Sequence, residues 1–442
     1  MKSLKMKNHF GLVMLIALFL VFPGHGVLNA ADVPTVYDVI KGKADLPTIE
    51  DLTAGKVKIG DLIDKNNVDS VKEYLGKGIY ESVKRGMILR MAPQLPPDQI
   101  GPKFFRDATE RNRGKAIIDE NGTVYHEKMG TLWPGGLPFP EPKTGLEVAA
   151  NVKYGCVWDE LRNFPNTMIY VDSKGHAYKK VGMDQRYVYC TTRTKLPPLG
   201  AIAGYEDIMF KRLIITTFPL ELKGLGQYTV RYYDDSKTYD TGFAYLPAFK
   251  RTIRVSATIW QDNIAGSDLT SGDGQGLQEP YSSWDFKLLE TKYTLLVEPK
   301  TPFPLLDKKG NIDKRVQFDV GEKFPRLGWT IWPVHVLEAT PRIKHVYGKK
   351  ILYTNAWPYW PSSVQFALTE MYDRQMKLWK VYPSNKGYYY ILDGEPYTSE
   401  WGLFIYDLQS DHITQYWYIS NLNGQNYVPD DITLKTLLEV GR

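Results

Sequence analysis

The segment WQDNIAGSDLTSGDGQG, residues 260–276, gathers residue types that commonly do chemistry: three aspartates, Asp262, Asp268 and Asp273, among closely spaced glycines. A phosphate cradle of this kind needs a strand before the glycines and a helix after them, so that helix-terminal N–H groups point at the anion. Here Gly272, Gly274 and Gly276 lead into LQEPYSSWDFKLLETKY, which reads as another strand. A calcium loop needs alternate carboxylates at fixed spacing, which the three aspartates lack. The expectation is a solvated hairpin loop at the end of a cationic strand. That strand, around RTIRVS, places Thr252 and Arg254 on one face and Arg251 and Ile253 on the other. Arg251 and Arg254 are therefore candidates to pair with a phosphate or carboxylate head, with bridges to surface acids as the alternative.

Other chemistry is sparse. No Gly-x-Ser-x-Gly elbow and no His-Glu-x-x-His pair occurs. His126, His176, His335, His345 and His412 show no ligand spacing, so no metal, cofactor or catalytic residue is expected. An enzyme would need residues that meet only in space, for instance Asp262, Asp285 and His335. Aromatic surface, by contrast, is abundant, with 11 Trp and 30 Tyr. Most of it should be sheet core. Trp and Tyr also suit the lining of a cavity for an amphiphile, because each joins a broad apolar body to one polar handle. Trp260, Trp284, Phe286, Trp329 and Trp332 are the candidates for such a groove.

The elements that must position these residues are mostly strands. From about residue 115 the chain is dense in Tyr, Thr, Val, Ile and Trp with an apolar spacing near two. Aspartate recurs at the strand ends, in DENGTVYH, YVDSKGHAYK, YDDSKTYD, YDRQMKLWKVY and YDLQSDHITQYW. An Asp side chain can close such a turn onto its own backbone, so each predicts a hairpin. Successive hairpins make an antiparallel meander, and a long twisted sheet curled around helices fits better than a propeller, since no blade-length repeat is present. Residues 31–114 read as a helical segment. Its NNVDSVKEYLGKGIYESVKRG stretch has stops at Gly76 and Gly86, and a further helix begins at Pro102. DDITLKTLLEVGR predicts a terminal helix capped by Asp430 or Asp431.

Residues 1–30 read as a secretory signal, with Lys2, Lys5 and Lys7 before an apolar run and small residues at Ala30 and Ala31. Without them the chain carries 52 basic against 50 acidic side chains, a balance that gives no basic stripe for nucleic acid. In an oxidising compartment Cys156 and Cys190, the only cysteines, can form a disulfide. The expected Cys156–Cys190 bond would contribute about 3–4 kcal/mol on the chain-entropy model; two buried thiols are the alternative.

LPTIEDLTAGKVKIGDLI, GGLPFPEP, AYLPAFKRTIRVS, SSWDFKLLETKYTLLV, WPVHVLEATPRIKHVYGKKILYTNAWPYW and YDRQMKLWKVY occur in this order. Together they resemble the periplasmic family grouped as domain of unknown function 1329, often described as outer-membrane lipoprotein-sorting proteins by relation to the LolA and LolB carriers. The resemblance spans nearly all of the chain after the signal. It implies a mainly β protein: a large curved antiparallel sheet, a half-open barrel over residues 115–442, with helices covering its concave face, in a Gram-negative periplasm. It further implies an association with transporters of the resistance-nodulation-division superfamily. Lys250, Arg251 and Arg254 occupy the place of the family's arginine-dense stretch, thinned by Thr252 and Ile253.

The function read from these features is non-enzymatic binding or transfer of a lipid, lipoprotein or other amphiphile. An acyl chain in water costs about 0.8 kcal/mol per CH2, so only an apolar groove can move one through an aqueous compartment. The alternatives are a structural partner of an outer-membrane or transporter assembly, and a hydrolase with a spatially assembled site.

Overall fold

The computed structural model describes residues 33–95, 101–255, 260–298, 306–307, 309–356, 366–385, 388–392, 395–399 and 402–441. The signal reading falls outside them. Fifteen strands form one sheet: β1 Leu62–Ile63, β2 Leu89–Met91, β3 Glu160–Val171, β4 Ala177–Tyr189, β5 Ile208–Phe218, β6 Gly226–Tyr232, β7 Thr241–Leu246, β8 Arg251–Val255, β9 Trp284–Val297, β10 Gly328–Pro341, β11 Tyr347–Asn355, β12 Leu368–Asp373, β13 Leu378–Asn385, β14 Gly402–Asp407 and β15 His412–Leu422. Their order is β1-β2-β10-β11-β12-β13-β14-β15-β3-β4-β5-β6-β7-β8, and β9 pairs with β10. Pairing is antiparallel except between β2 and β10, which run parallel. The sheet does not close on itself: β8 is its edge among the described residues.

The aspartate turns form as their side-chain chemistry dictates. Asp119 accepts the N–H groups of Asn121 and Thr123, Asp172 those of Lys174 and His176, Asp234 that of Ser236, Asp373 those of Gln375 and Lys377, and Asp407 those of Gln409 and Ser410. The hairpins so closed set the register that gives each strand two distinct faces.

Curvature follows from a short segment that touches distant strands. Asp273 pairs with Lys350 on β11, while Gln278 reaches Tyr187 on β4 and Arg212 on β5. β11 and β5 stand seven places apart in the strand order, about 33 Å across a flat sheet. Five residues of chain span at most about 18 Å. The sheet is therefore curled around residues 260–283, and the face these residues touch is the concave one.

Both faces are covered. On the inner face lie α4 (Lys103–Asn112) and α5 (Gly145–Tyr154), the latter started by a capping box between Thr144 and Glu147. They pack with Trp158, Tyr187, Tyr189, Phe210, Trp284, Leu337 and Leu352. The outer face carries the first part of the chain, with α1 (Val36–Ile40), α2 (Ile49–Leu52) and α3 (Lys77–Lys84) among its elements. There Val68, Val71, Ile79 and Val83 meet Val381, Phe404, Tyr406 and Trp417. Gly76 is the N-cap of α3, and Gly78 N–H donates to the buried Glu370 of β12 at 2.7 Å. The terminal helix α6 (Leu434–Val440) also packs outside, on Val188, Leu213 and Tyr228. It is capped by Thr433 instead of an aspartate; Asp431 instead accepts Val428 N–H in the preceding turn.

The expected disulfide is absent. Cys156 and Cys190 are both buried free thiols. Cys156 packs with Tyr189 on the inner side, whereas Cys190, just past the end of β4, lies beside Lys211 and Tyr228 of the outward-facing side. The sheet itself separates them. Cys156 donates instead to Trp158 O at 2.9 Å. Burial pushes both thiols up, Cys190 to about 12, so neither supplies thiolate at neutral pH. A thiol assay on unreduced protein should find two free cysteines after denaturation and very slow labelling before it; a denatured count of zero would restore the bond.

Candidate functional site

Residues 261–281 cross the concave face as a plug held by polar anchors. Asp268 Oδ2 accepts from Thr414 Oγ1 at 2.8 Å and lies 2.6 Å from His412 Nδ1, while the Asp268 carbonyl accepts from Lys380 Nζ at 2.6 Å. Asp273 is fully buried and pairs with the equally buried Lys350 at 2.9 Å. It also accepts from Tyr347 Oη at 2.8 Å and closes its own turn by accepting Thr270 N–H. Both oxygens of Glu279 lie 3.1 Å from His345 Nε2. Beyond it, Tyr281 N–H donates to Asp235, which is ion-paired with Lys153 of α5 at 3.0 Å. The acidic, glycine-rich stretch is thus no solvated loop: Asp268 and Asp273 are partners of His412 and Lys350, basic groups that the sheet turns inward, and of its three aspartates only Asp262 is exposed.

The glycines serve this close approach. At Gly276, φ is +86°, and an added Cβ would meet Thr369 Oγ1 at 2.6 Å. At Gly272 it would meet the Glu279 carboxylate at 2.4 Å. A larger residue at Gly276 would push the segment off the sheet, and one at Gly272 would displace the Glu279 side chain.

Burial alone would raise the Asp273 carboxyl, but Lys350 and then Lys380 outweigh it and hold it below the usual range. His412 is raised, first by its hydrogen bond to Asp268, against a smaller opposing effect of burial. Its ring also contacts Tyr178 Oη at 2.7 Å, so one imidazole joins the plug to the β3–β4 hairpin.

Between the plug and the sheet lies a cavity of about 300 Å3. Met168, Val181, Met183, Ile214, Ala244 and Leu403 form its sheet wall, and Ile264, Ala265 and Leu269 its plug wall. These sheet residues share one face because the register places Met168 opposite Val181, Gln185 opposite Ile214 and Gln227 opposite Ala244. Arg212, Gln185, Gln278 and the exposed Asp262 add polar groups. A smaller lobe beyond Gln185, Gln278 and Tyr416 is bounded by Trp158, Leu161 and Tyr418. The larger volume sits at the lower end of the range for small-molecule pockets.

The aromatic candidates lie elsewhere. Trp284 and Phe286 pack on the inner face near α5, Trp284 edge-on to His345 at 4.9 Å. Trp329 and Trp332 belong to the cluster formed with the N-terminal segment. Trp260 lies between the guanidinium groups of Arg212 and Arg231, at 5.2 and 5.3 Å. None of the five lines the cavity. Arg251 and Arg254 are exposed on the edge strand β8; Arg251 shares the face of Ile253 and Ala244, and Arg254 that of Phe243, on the other side. Asp285 is bound to Arg342 at 2.8 Å, and His335 is buried against Thr291 with its pKa lowered to about 4 by burial. Asp285 and His335 lie on opposite faces of the β9–β10 pair, so they do not converge with Asp262. Among the described residues no group of three His, Cys, Asp or Glu side chains could hold a metal ion. No described helix is long and apolar enough to cross a membrane. Sequence reasoning missed Arg212, whose signal was present: in IMFKRLIITTF it alternates with Phe210 and Ile214 on an otherwise apolar face.

The profile of the family described as "Protein of unknown function (DUF1329)" matches residues 62–429, and the chain belongs to that family. No curated protein matches it. Among solved structures, it is similar to a domain described as an outer membrane lipoprotein-sorting protein from Vibrio parahaemolyticus, with 17% identity, a TM-score of 0.45, and coverage of 66% of this chain and 98% of that one. A DUF1329 family protein from Desulfovibrio piger gives 13% and 0.44, over 66% and 97% of the two chains. A LolA superfamily protein from Nitrosomonas europaea gives 13% and 0.38, over 67% and 100%.

Two outcomes test the anchors. Asp273→Asn leaves the Lys350 charge buried without its partner and should cost about 3–5 kcal/mol of unfolding free energy, whereas Asp273→Asn with Lys350→Met should recover much of the loss; denaturant melts measure both. His412 has a folded pKa above its unfolded value, so its stabilisation is complete below about pH 6.5 and is lost as pH rises through the folded pKa. Stability should therefore fall across that window in the parent and stay flatter in His412→Gln.

Proposed function

We propose that this chain is a non-enzymatic periplasmic carrier that binds a lipid, lipoprotein acyl group or similar amphiphile in the concave cavity beneath residues 261–281. The observation that supports this most is the cavity itself: methionine and aliphatic side chains from strands β3, β4, β5, β7 and β14 border open space together with Ile264, Ala265 and Leu269 of the plug. A core of this size normally interdigitates to crystal-like density. Here Ile264, Ala265 and Leu269 pack on the sheet wall at the border of the cavity and leave open space beside that contact, which suits an exchangeable apolar guest. The signal-like first thirty residues support the compartment.

The proposal moves the site from the tryptophans to the aliphatic wall. Delipidated protein should bind an apolar fluorescent probe, and Val181→Trp, which fills the cavity, should weaken that binding by about tenfold or more while the fold survives. Trp329→Ala and Trp332→Ala should instead cost about 3–5 kcal/mol of stability and leave probe affinity in the folded protein unchanged. Failure of the parent to bind any apolar probe would overturn the carrier reading.

A further inference from the structure

Most buried cations among the described residues have a carboxylate or several carbonyls as partners, and Lys211 and Lys380 donate to the carbonyls of Pro429 and Asp268. Arg231 pairs with Asp240, Lys350 with Asp273, Lys153 with Asp235 and Lys323 with Asp411. Arg193, without a carboxylate, donates to the carbonyls of Tyr189, Leu196, Pro197 and Pro198. Arg212 is different. It is 2% exposed and lines the cavity. Its Nη1 donates to Gln278 Oε1 at 2.8 Å and its Nη2 to Thr229 Oγ1 at 3.3 Å, and its buried Nε has no partner. Among the described residues no carboxylate lies within ion-pair distance of it. The Trp260 and Tyr187 rings, at 5.2 and 5.9 Å, supply only the weaker attraction of a π face.

The edge that lacks a carboxylate is the one this protein uses elsewhere to grip carboxylates. Arg162 and Arg186 hold Asp184, Arg231 holds Asp240, and Arg315 holds Asp313, each through Nε and Nη2. A guanidinium withdrawn from water without an anion carries a large desolvation cost, and two parallel N–H···O bonds to an anion offset it. The neighbouring Arg231 shares Trp260 with Arg212 yet has its own aspartate, so the difference lies in the partner and not in the surroundings.

We propose that the cavity takes an acidic amphiphile, with a carboxylate or phosphate head on the Nε–Nη2 edge of Arg212 and an apolar chain along Met168, Val181, Met183, Ile214 and Leu403. This rests on the carrier reading and adds the head-group class. It also assigns the anion-binding role to a buried arginine of β5 in place of the exposed Arg251 and Arg254.

The test titrates delipidated full-length protein with palmitate, methyl palmitate and hexadecyl phosphate, and repeats it on Arg212→Gln and Arg212→Met. The parent should bind at least one of the two anions about tenfold or more tightly than the neutral ester, and the tighter of the two identifies the head. Both folded variants should lose that preference and bind the anions no more tightly than the ester. Equal binding of ester and anions by the parent overturns the head-group assignment and leaves the carrier reading standing. A preference that persists in the variants overturns the role of Arg212. Binding of none of the three overturns the carrier reading, and the head-group assignment with it. The parent comparison decides even where a variant fails to fold.

Discussion

The ion pair between Asp273 and Lys350, both wholly out of water, is the contact on which the arrangement of this protein turns. Its energetic worth relative to a packed apolar pair is small, since the Coulomb gain largely offsets the desolvation of two charges. Its value is positional. An apolar segment could slide over an apolar sheet at little cost, but a carboxylate at this depth has one place to go. With Asp273 seated, Asp268 meets His412 and Thr414, Gln278 meets Arg212, and Glu279 meets His345. Strands far apart in the sheet order are thereby tied through one stretch of chain, and the sheet keeps its curl although its edges never pair.

This arrangement explains how an open half-barrel can hold a cavity without collapsing. The plug is fixed by polar contacts around it, so Ile264, Ala265 and Leu269 pack beside Met168, Val181 and Ile214 without filling all of the space there. On the other face, the N-terminal segment and α6 bury the outward-facing residues, while α4 and α5 cover part of the inner face and leave the wall from Met168 to Leu403 for a guest. The division of labour is physical: apolar packing on both faces supplies stability, and charge pairing inside supplies position.

The same logic separates two arginines that are chemically alike. Arg231 is neutralised by Asp240 and serves the architecture, while Arg212, beside the same Trp260, borders the cavity with a neutral amide and a hydroxyl as its neighbours. In a low-dielectric setting such a difference in counter-charge matters more than any difference in side-chain shape.

Local physics was legible in the sequence. Every aspartate turn formed where the Asp-plus-turn-former pattern put it, because an Asx turn is closed by atoms only two to four residues apart. Pro102 stands at the start of α4 as expected, whereas Gly76, read as a helix stop, follows the helical turn Val68–Tyr74 and is itself the N-cap of α3; the face alternation of Arg251 to Arg254 follows from the strand period. The mainly β, half-barrel character was likewise readable from spacing and family resemblance. What only the tertiary structure decided is everything that depends on partners distant in the chain. Asp273 and Lys350 are separated by 77 residues, and Arg212 and Gln278 by 66. Glycines and aspartates in sequence look the same whether water or a buried lysine awaits them, so the plug read as a solvated loop. The placement of Cys156 with the inner cluster and of Cys190 beside Lys211 and Tyr228 on the outer side put the sheet between the two thiols. Tryptophan likewise gives no sign of whether it will line a cavity or fill a core. That choice belongs to the curl of the sheet, which places the tryptophans of β9 and β10 in packed clusters and leaves aliphatic residues and one arginine around the open space.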